Sequence, residues 1–334
     1  MMLFHKQHGV ALITALLVVS LATVLAVALV KHLYFDIRRT ENILRLDQAQ
    51  LFNKNSVEFG MVLIRRDWEL YNKFDALEEI QTFNDYAIAI ALEGPPVALE
   101  LKDLQSCFNL NNLSKSNAEL PRYRSQYSKL LIQLEVDPSV HNTLIDSLID
   151  WLDADSITEA QGAEFDYYIG LERPYRNANA LMTSPSELRL VKGYTNEIFE
   201  QLKNHICVLP KIKTAININT ASSIMLESID GLKGHGQTIT QHRDGNLENN
   251  NTDISEGGEI ETNPFETIAD FQKYVTSTLK VTNFDSTGLQ EFSEYFLMES
   301  RTKLGTGNVK LFSIIYRDNS NGETKIIQQT SGAL

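Results

Sequence analysis

Positive charge, cysteine, histidine motifs and phosphate-binding glycine loops are scarce or missing in this 334-residue chain, and each shortage removes a class of function. There are 30 Lys+Arg against 43 Asp+Glu, a formal net charge of -13. A field of that sign repels phosphate backbones and anionic headgroups, which argues against nucleic acid as a partner. The two cysteines, Cys107 and Cys207, belong to no CxxC pair, so zinc and thioredoxin-like redox chemistry lack their usual spacing. They form either one disulfide or two buried thiols, and export from the cytoplasm would favour the disulfide. The seven histidines make no HExxH and no serine sits in GxSxG, so the sequence points to assembly rather than covalent chemistry. Length allows at least one full core, as two domains or as one domain with a large insertion.

One long hydrophobic run is present. Val10 to Val30 (VALITALLVVSLATVLAVALV) carries no charge, and its only polar side chains are Thr14, Ser20 and Thr23. About 20 apolar residues are what an α-helix needs to cross a bilayer. No small-residue cleavage site interrupts the sequence before Lys31, so an ordinary secretory signal is excluded. The short basic leader MMLFHKQHG, residues 1–9, instead ends in Gly9 directly before the run, where a protease could cut ahead of Val10 and leave the anchor intact. A generic signal anchor would satisfy the span and leader equally. Lys6 precedes the span while Lys31, Arg38 and Arg39 follow it, opposing the positive-inside rule, so charge does not set the orientation.

Beyond the span no Gly or Pro occurs until Gly60, and Leu33, Ile37, Leu44 and Leu51 recur at helical spacing, which predicts a long helix continuing the anchor. That stripe serves either its own domain or neighbouring chains. Tyr86 to Leu101 reads as two β-rich runs around the turn Gly94-Pro95-Pro96. From about Asp103 to Asn283 the pattern is helical, and strand-like runs return at Tyr295–Glu299, Asn308–Tyr316 and Thr324–Gln329, the last two joined by the hairpin loop Asp318 to Gly322. Strands at both ends with helices between them predict an α+β fold: a long N-terminal helix packed on a small antiparallel sheet, with a large α-helical domain inserted between strands. The expected boundaries are the leader at 1–9, the transmembrane part of the helix at 10–30, the first part of the sheet domain at 31–102, the insertion at 103–290 and the closing strands at 291–334. Arg243 to Thr262, polar and poor in apolar residues, is expected to be a surface loop.

The most informative block is Asp146 to Arg176. Asp150, Asp153, Asp155, Glu159, Glu164 and Asp166 place six carboxylates within seventeen residues, a density that repels itself unless a cation neutralises it. Counted from Asp153, the acidic residues Asp155, Glu159 and Glu164 fall at EF-hand positions three, seven and twelve, but Thr158 stands where that loop needs glycine and Ile157 at position five. What remains is a loop of hard oxygen ligands suited to Ca²⁺ rather than zinc, or else a solvated acidic loop. Ser184-Pro185-Ser186-Glu187 is a capping box that starts a helix. Phe108-Asn109-Leu110-Asn111-Asn112-Leu113 and Ile216-Asn217-Ile218-Asn219-Thr220-Ala221 echo one another, their asparagines placed to cap the helix that follows. The run from Ile216 to Arg243 also resembles a helix-hairpin-helix DNA-binding unit with Gly231, Gly234 and Gly236 in its turn, for which Lys233, Arg243 and His235 would supply the only nearby positive charge.

HGVALITALLVV resembles the class III signal of prepilins and pseudopilins, and DWLDAD, GAE, DYY and PYR resemble the acidic block of the K-type minor pseudopilins of type II secretion. The anchor, FNLNNL, the acidic block and NINTA stand in the family's order, SELRLVKGY resembles a further segment of it, and the resemblance covers nearly the whole chain. It implies cleavage by the prepilin peptidase between Gly9 and Val10, methylation of the new terminus, a single-pass anchor in the bacterial inner membrane with the bulk of the chain in the periplasm, and partners among the I-type and J-type minor pseudopilins and the inner-membrane assembly platform. Most members of the wider superfamily carry glutamate at the fifth mature position, where this chain has Thr14, the pattern of a subunit with nothing stacked beyond it. By position the resemblance carries a calcium-binding role to Asp153, Asp155, Glu164 and Asp166, and to Asp150. Two other classes stay open: a type IV pilus-like minor pilin acting in adhesion, and a membrane-tethered DNA-binding protein.

Overall fold

A computed structural model describes residues 10–70, 74–87, 97–245, 262–282, 284–304 and 307–332, with backbone only at 85–87. The leader, Gly9 included, lies outside the described residues, as does most of the polar stretch between Arg243 and Thr262. Helix α1 (Val10–Leu70) is a single rod of 61 residues, about 90 Å long at 1.5 Å per residue. Its first part is fully exposed and apolar enough to cross a membrane. Thr14, Ser20 and Thr23 donate their hydroxyls to the carbonyls of Ala11, Leu17 and Val19, so the span's side-chain hydroxyls are satisfied within the helix.

The far half of α1 packs on its own domain through Ala49, Asn53, Val57, Gly60 and Ile64. Two of these five are small, because the helix axis comes close to the sheet: a Cβ at Gly60 would sit 2.5 Å from the Met298 methyl. Asn53 ties helix to sheet, donating to the Val309 carbonyl (3.0 Å) and accepting from the Ser300 (2.8 Å) and Thr302 (2.6 Å) hydroxyls. Leu33, Ile37, Leu44 and Leu51, the stripe conspicuous in the sequence, are all exposed and take no part in this packing.

Helix α2 (Leu77–Ala87) follows, so Tyr86 and Ala87 are helical rather than the start of a strand. The correction has a local cause: Glu79 accepts from the Ala76 amide and caps this helix, whose register runs through Tyr86. The rest of that expected strand falls outside the described residues. Strand β1 (Val97–Asp103) then leads to the insertion, whose elements are β2 (Phe108–Asn109), a 3-10 turn at Leu110–Leu113, α3 (Leu120–Gln133), α4 (His141–Leu152), α5 (Phe165–Ile169), a 3-10 helix at Pro185–Leu190, α6 (Asn196–Leu202), β3 (Ile206–Cys207), β4 (Ile216–Asn217), α7 (Ser223–Glu227), α8 (Gly236–Asp244), α9 (Ile268–Ser277) and β5 (Leu289–Gln290). The capping box at Ser184 forms as expected but opens the 3-10 helix. The chain returns as β6 (Tyr295–Leu304), β7 (Gly307–Arg317) and β8 (Thr324–Thr330), giving an antiparallel sheet in the order β1-β6-β7-β8.

The insertion is built twice over from one pattern. Strand β2 pairs parallel with β3, and β4 pairs parallel with β5. In the first unit Asn111 donates to the Met182 and Leu209 carbonyls (3.0 and 2.8 Å) and accepts from the Met182 amide (2.9 Å). In the second, Asn219 donates to the Phe265 and Glu291 carbonyls (2.9 and 3.4 Å) and accepts from the Phe265 amide (2.9 Å). The echoing asparagines therefore close each unit across long sequence distances. Asn109 also caps the 3-10 turn after it, but helix α7 is capped by Ser222 rather than by Asn217 or Asn219. Cys107 and Cys207 are bridged by a disulfide beside the β2–β3 pair, with Cα atoms 5.8 Å apart and a sequence separation of 100.

The insertion leaves from Asp103 and returns at Tyr295, both at the end of the sheet next to the last turns of α1. A buried polar network joins the two parts. Asp75 accepts from the Ser293 amide (2.6 Å) and pairs with Arg317, while Asp103 accepts from the hydroxyls of Ser293 (2.7 Å) and Thr220, the Asn217 amide (3.2 Å) and the Gln105 backbone (2.7 Å). Leu209 of the insertion packs with Tyr295 and Ile314 of the sheet alongside it.

Candidate metal centre

Helix α4 is buried along its whole second half because it carries Leu144, Ile145, Leu148, Ile149, Trp151 and Leu152 into the core. Asp146 and Asp150, one turn apart, share the remaining face, and Asp153 is the residue that ends the helix. The chain beyond it folds back over these carboxylates. Asp150 accepts from the Glu159 amide (3.0 and 3.2 Å), Asp146 accepts from the Gln161 amide (3.1 Å) and pairs with Arg124, and Asp153 accepts from the Asp155 amide (3.2 Å). Gly162 makes the return possible, since a Cβ there would overlap the Asp150 carboxylate.

The fold-back brings Asp150, Asp153 and Glu164 together, all buried, with one ligand atom of each lying within 4.8 Å of the others. Glu164, 6% exposed, accepts from Asn177 at one oxygen (2.7 Å), while its Oε1 has no hydrogen-bond partner. Burial raises the Glu164 carboxyl above its usual value despite Asn177, and burial likewise pushes Asp150 up to about 6 against the Glu159 amide and Lys115. Three hard-oxygen donors, of which Asp153 Oδ2 and Glu164 Oε1 accept no hydrogen bond, fit Ca²⁺ or another hard divalent cation; an ion there would favour the ionised carboxylates. Asp155 is half exposed, its carboxylate accepting from the Ile157 amide (2.7 Å), and Asp166 is exposed on the first turn of α5; neither belongs to the buried group. The reason is geometric: the loop after Asp153 runs outward before returning at Gly162, and α5 carries Asp166 away from Glu164.

Lys115, which the spacing of the acidic block does not point to, reaches the cluster from the turn before α3. Its Nζ lies 2.7 Å from Asp153, 3.2 Å from Glu159, 3.7 Å from Asp155 and 3.9 Å from Asp150. Burial works against its charge, but pairing with Asp153, Glu159 and Asp155 outweighs it and holds the ammonium well above the ordinary lysine value. A second carboxylate group, Asp67, Asp75 and Glu79, lies at the domain junction beside Arg317, which already neutralises Asp75.

The segment with the helix-hairpin-helix resemblance forms two short helices around a glycine turn. Helices α7 and α8 flank a turn in which Gly231 and Gly234 take positive φ (86° and 79°). Arg243 is not on the polar loop but 3% exposed in α8, chelating Asp244 and donating to the carbonyls of Ile218 (2.7 Å) and Ala221 (2.9 Å). Of the three cations expected to meet phosphate, Arg243 is spent inside the fold, Lys233 is exposed and His235 is half-buried, while Asp230 beside the turn pairs with Lys129.

A family model described as "Type II secretion system (T2SS), protein K" matches residues 106–211, the stretch from the first cysteine region through the acidic block to the second. Type II secretion system protein K of Aeromonas hydrophila is 31% identical over 226 residues, covering 65% of this chain and 68% of that one. Its counterpart in Pseudomonas aeruginosa is 28% identical over 335 residues, covering 98% and 93%. Among solved structures, a chain of the GspK-GspI-GspJ complex from enterotoxigenic Escherichia coli superposes with a TM-score of 0.69 at 21% identity, covering 89% of this chain and all of that one. The chain belongs to the type II secretion system protein K family and is a minor pseudopilin of that system.

Proposed function

We propose that the chain is held in the bacterial inner membrane by the first part of α1, with its folded body in the periplasm, and occupies the membrane-distal tip of a pseudopilus, where it initiates and caps assembly. The observation that carries this reading is where the insertion sits. It departs from and rejoins the sheet beside the end of α1 furthest from the span, so a subunit approaching from that side meets the inserted domain rather than a free helix end. Thr14 supports the same reading, because its hydroxyl is satisfied by Ala11 of its own helix (3.0 Å), whereas a carboxylate in hydrocarbon would need a partner from a neighbouring chain.

The complex containing the structural relative names I and J proteins of the same machine, which supports I-type and J-type minor pseudopilins as partners. The exposed stripe Leu33, Ile37, Leu44 and Leu51, unused by the chain's own domain, is the surface along which their anchor helices would pack. Processing by the prepilin peptidase between Gly9 and Val10, methylation of Val10 and docking to the inner-membrane assembly platform complete the reading. Asp150, Asp153 and Glu164 would hold Ca²⁺, whose charge would fix the loop between α4 and α5.

Co-purification of the full chain with I-type and J-type pseudopilins tests the partners: a stable ternary complex is expected, and elution of each protein alone would overturn the assignment. Gly9→Ala should leave the precursor at full length in cells containing the peptidase, and normal processing would refute the cleavage site. Thermal melts should shift upward with calcium over chelator, and superimposable curves would remove the metal.

A further inference from the structure

We propose that Lys115 is a built-in counter-ion that fills the carboxylate cluster in the metal-free protein and is displaced when a divalent cation binds, so that it sets the affinity of the site. The inference rests on the reading of Asp150, Asp153 and Glu164 as a metal centre. Five carboxylates crowd this corner, and three of them are buried. Such a group does not persist without compensating positive charge. The ammonium of Lys115 supplies it, pairing closely with Asp153 and Glu159, lying within 4 Å of Asp150 and Asp155, and donating to the Ile157 carbonyl at 3.4 Å.

The lysine is placed there by rigid backbone. Ser114 donates from its amide to the Asn111 carbonyl (3.2 Å), the Asn117 amide donates to the Ser114 carbonyl (2.9 Å), and the Asn117 side chain donates to the Asn112 carbonyl (2.7 Å). The turn carrying Lys115 is thus rooted in the same asparagines that close the first unit of the insertion. Only the flexible stem is free to move, and the head lies at the rim, its side chain 26% exposed. A lysine head makes rotatable point contacts and can leave without breaking a bidentate fork, unlike arginine.

Compensation is incomplete. Among the described residues Lys115 makes no ion pair with Glu164, whose Oε1 is left with no hydrogen-bond partner while only 6% exposed. One positive charge faces a cluster that would be better matched by two. Lys115 Nζ lies 2.7 Å from Asp153 Oδ2 and 3.9 Å from Asp150 Oδ1, so a dication between these carboxylates meets the ammonium, and two cations repel strongly in a site of low dielectric. Metal and lysine therefore compete, and the protein keeps a folded loop in either state.

The test uses the full chain in detergent micelles, titrated calorimetrically with calcium chloride, as wild type and as Lys115→Met. The variant is expected to bind calcium roughly tenfold or more tightly, because the competing charge is gone, and to melt below wild type in chelator, where its carboxylates are uncompensated. In wild type, amine acetylation read by mass spectrometry should modify Lys115 more strongly with calcium than with chelator. Calcium binding with equal affinity in both proteins and unchanged Lys115 labelling would overturn the displacement while leaving the metal centre intact. Failure of both proteins to bind calcium would overturn the metal centre and the displacement together.

Discussion

Removing the disulfide by Cys107→Ala/Cys207→Ala should cost about 4–5 kcal/mol of unfolding free energy, the chain-entropy value for a loop of the 100 residues it closes. The native geometry should survive, because the bridge is not the only tie at this point. Phe108 donates to the His205 carbonyl (2.8 Å), Leu209 donates to Asn109 (3.0 Å), and Asn111 holds both Met182 and Leu209. The loss therefore arises mainly in the unfolded chain, which regains the freedom to separate β2 from β3. The measurement is equilibrium denaturation of the oxidised wild type and the double variant under matched conditions, with calcium saturating in both. A drop below about 1 kcal/mol would refute the reasoning, since it would mean that the unfolded chain is not restrained by this cross-link. Unchanged electrophoretic mobility and mass after reduction and alkylation of protein recovered from the periplasm would show that the bond is not made there at all.

Gly162→Ala should displace the Asp150 carboxylate, costing about 1–3 kcal/mol from overpacking and weakening calcium binding at least tenfold; calorimetry on the folded variant checks it, and wild-type affinity would show that Asp150 is not a ligand. Arg243→Met should destabilise by about 3–5 kcal/mol, because it leaves Asp244 buried without its partner, while affinity for duplex DNA at physiological salt stays undetectable in both proteins; a loss of measurable DNA binding in the variant would contradict the buried role. Burial pushes Asp103 up to about 6, against hydrogen bonds from Ser293, Thr220 and Gln105, and burial raises Asp67 to about 6 and Glu79 to about 8. Folding thus binds protons at these carboxyls, so the stability they contribute is fullest below about 4 and is lost as pH rises through 6 and then 8. For Asp103 the displacement from 3.8 corresponds to about 3 kcal/mol. In chelator the melting temperature should fall from pH 5.5 to 8.5, with Asp103→Asn flattening the slope; a melting temperature that climbs across that range would contradict the burial of these groups.

Much of this architecture is legible in the residues because long elements carry a period. The span, the rod that continues it and the strands β6 to β8 all do. The parts that are not legible have tertiary causes. Two-residue strands such as β2 and β4 have no period to read, and the asparagines that close their units act on Met182, Leu209, Phe265 and Glu291, far away in sequence. The packing face of α1 uses Ala49, Asn53 and Gly60, small or polar residues dictated by close approach to β6, so the louder stripe of Leu33, Ile37, Leu44 and Leu51 points to the wrong face for intramolecular packing. In the candidate metal centre, carboxylate spacing locates the block, but which members come together depends on the fold-back at Gly162. That turn draws Asp150 and Glu164 together and leaves Asp155 and Asp166 outside. Lys115 enters from another element and leaves no mark in the local sequence.

Placement along the fibre tests the account most directly. Gold labelling of the inserted domain on sheared or surface-displayed pseudopili should put label at one end of each fibre and nowhere else. Label distributed along the shaft would show that other subunits stack beyond the inserted domain, and would contradict the tip assignment.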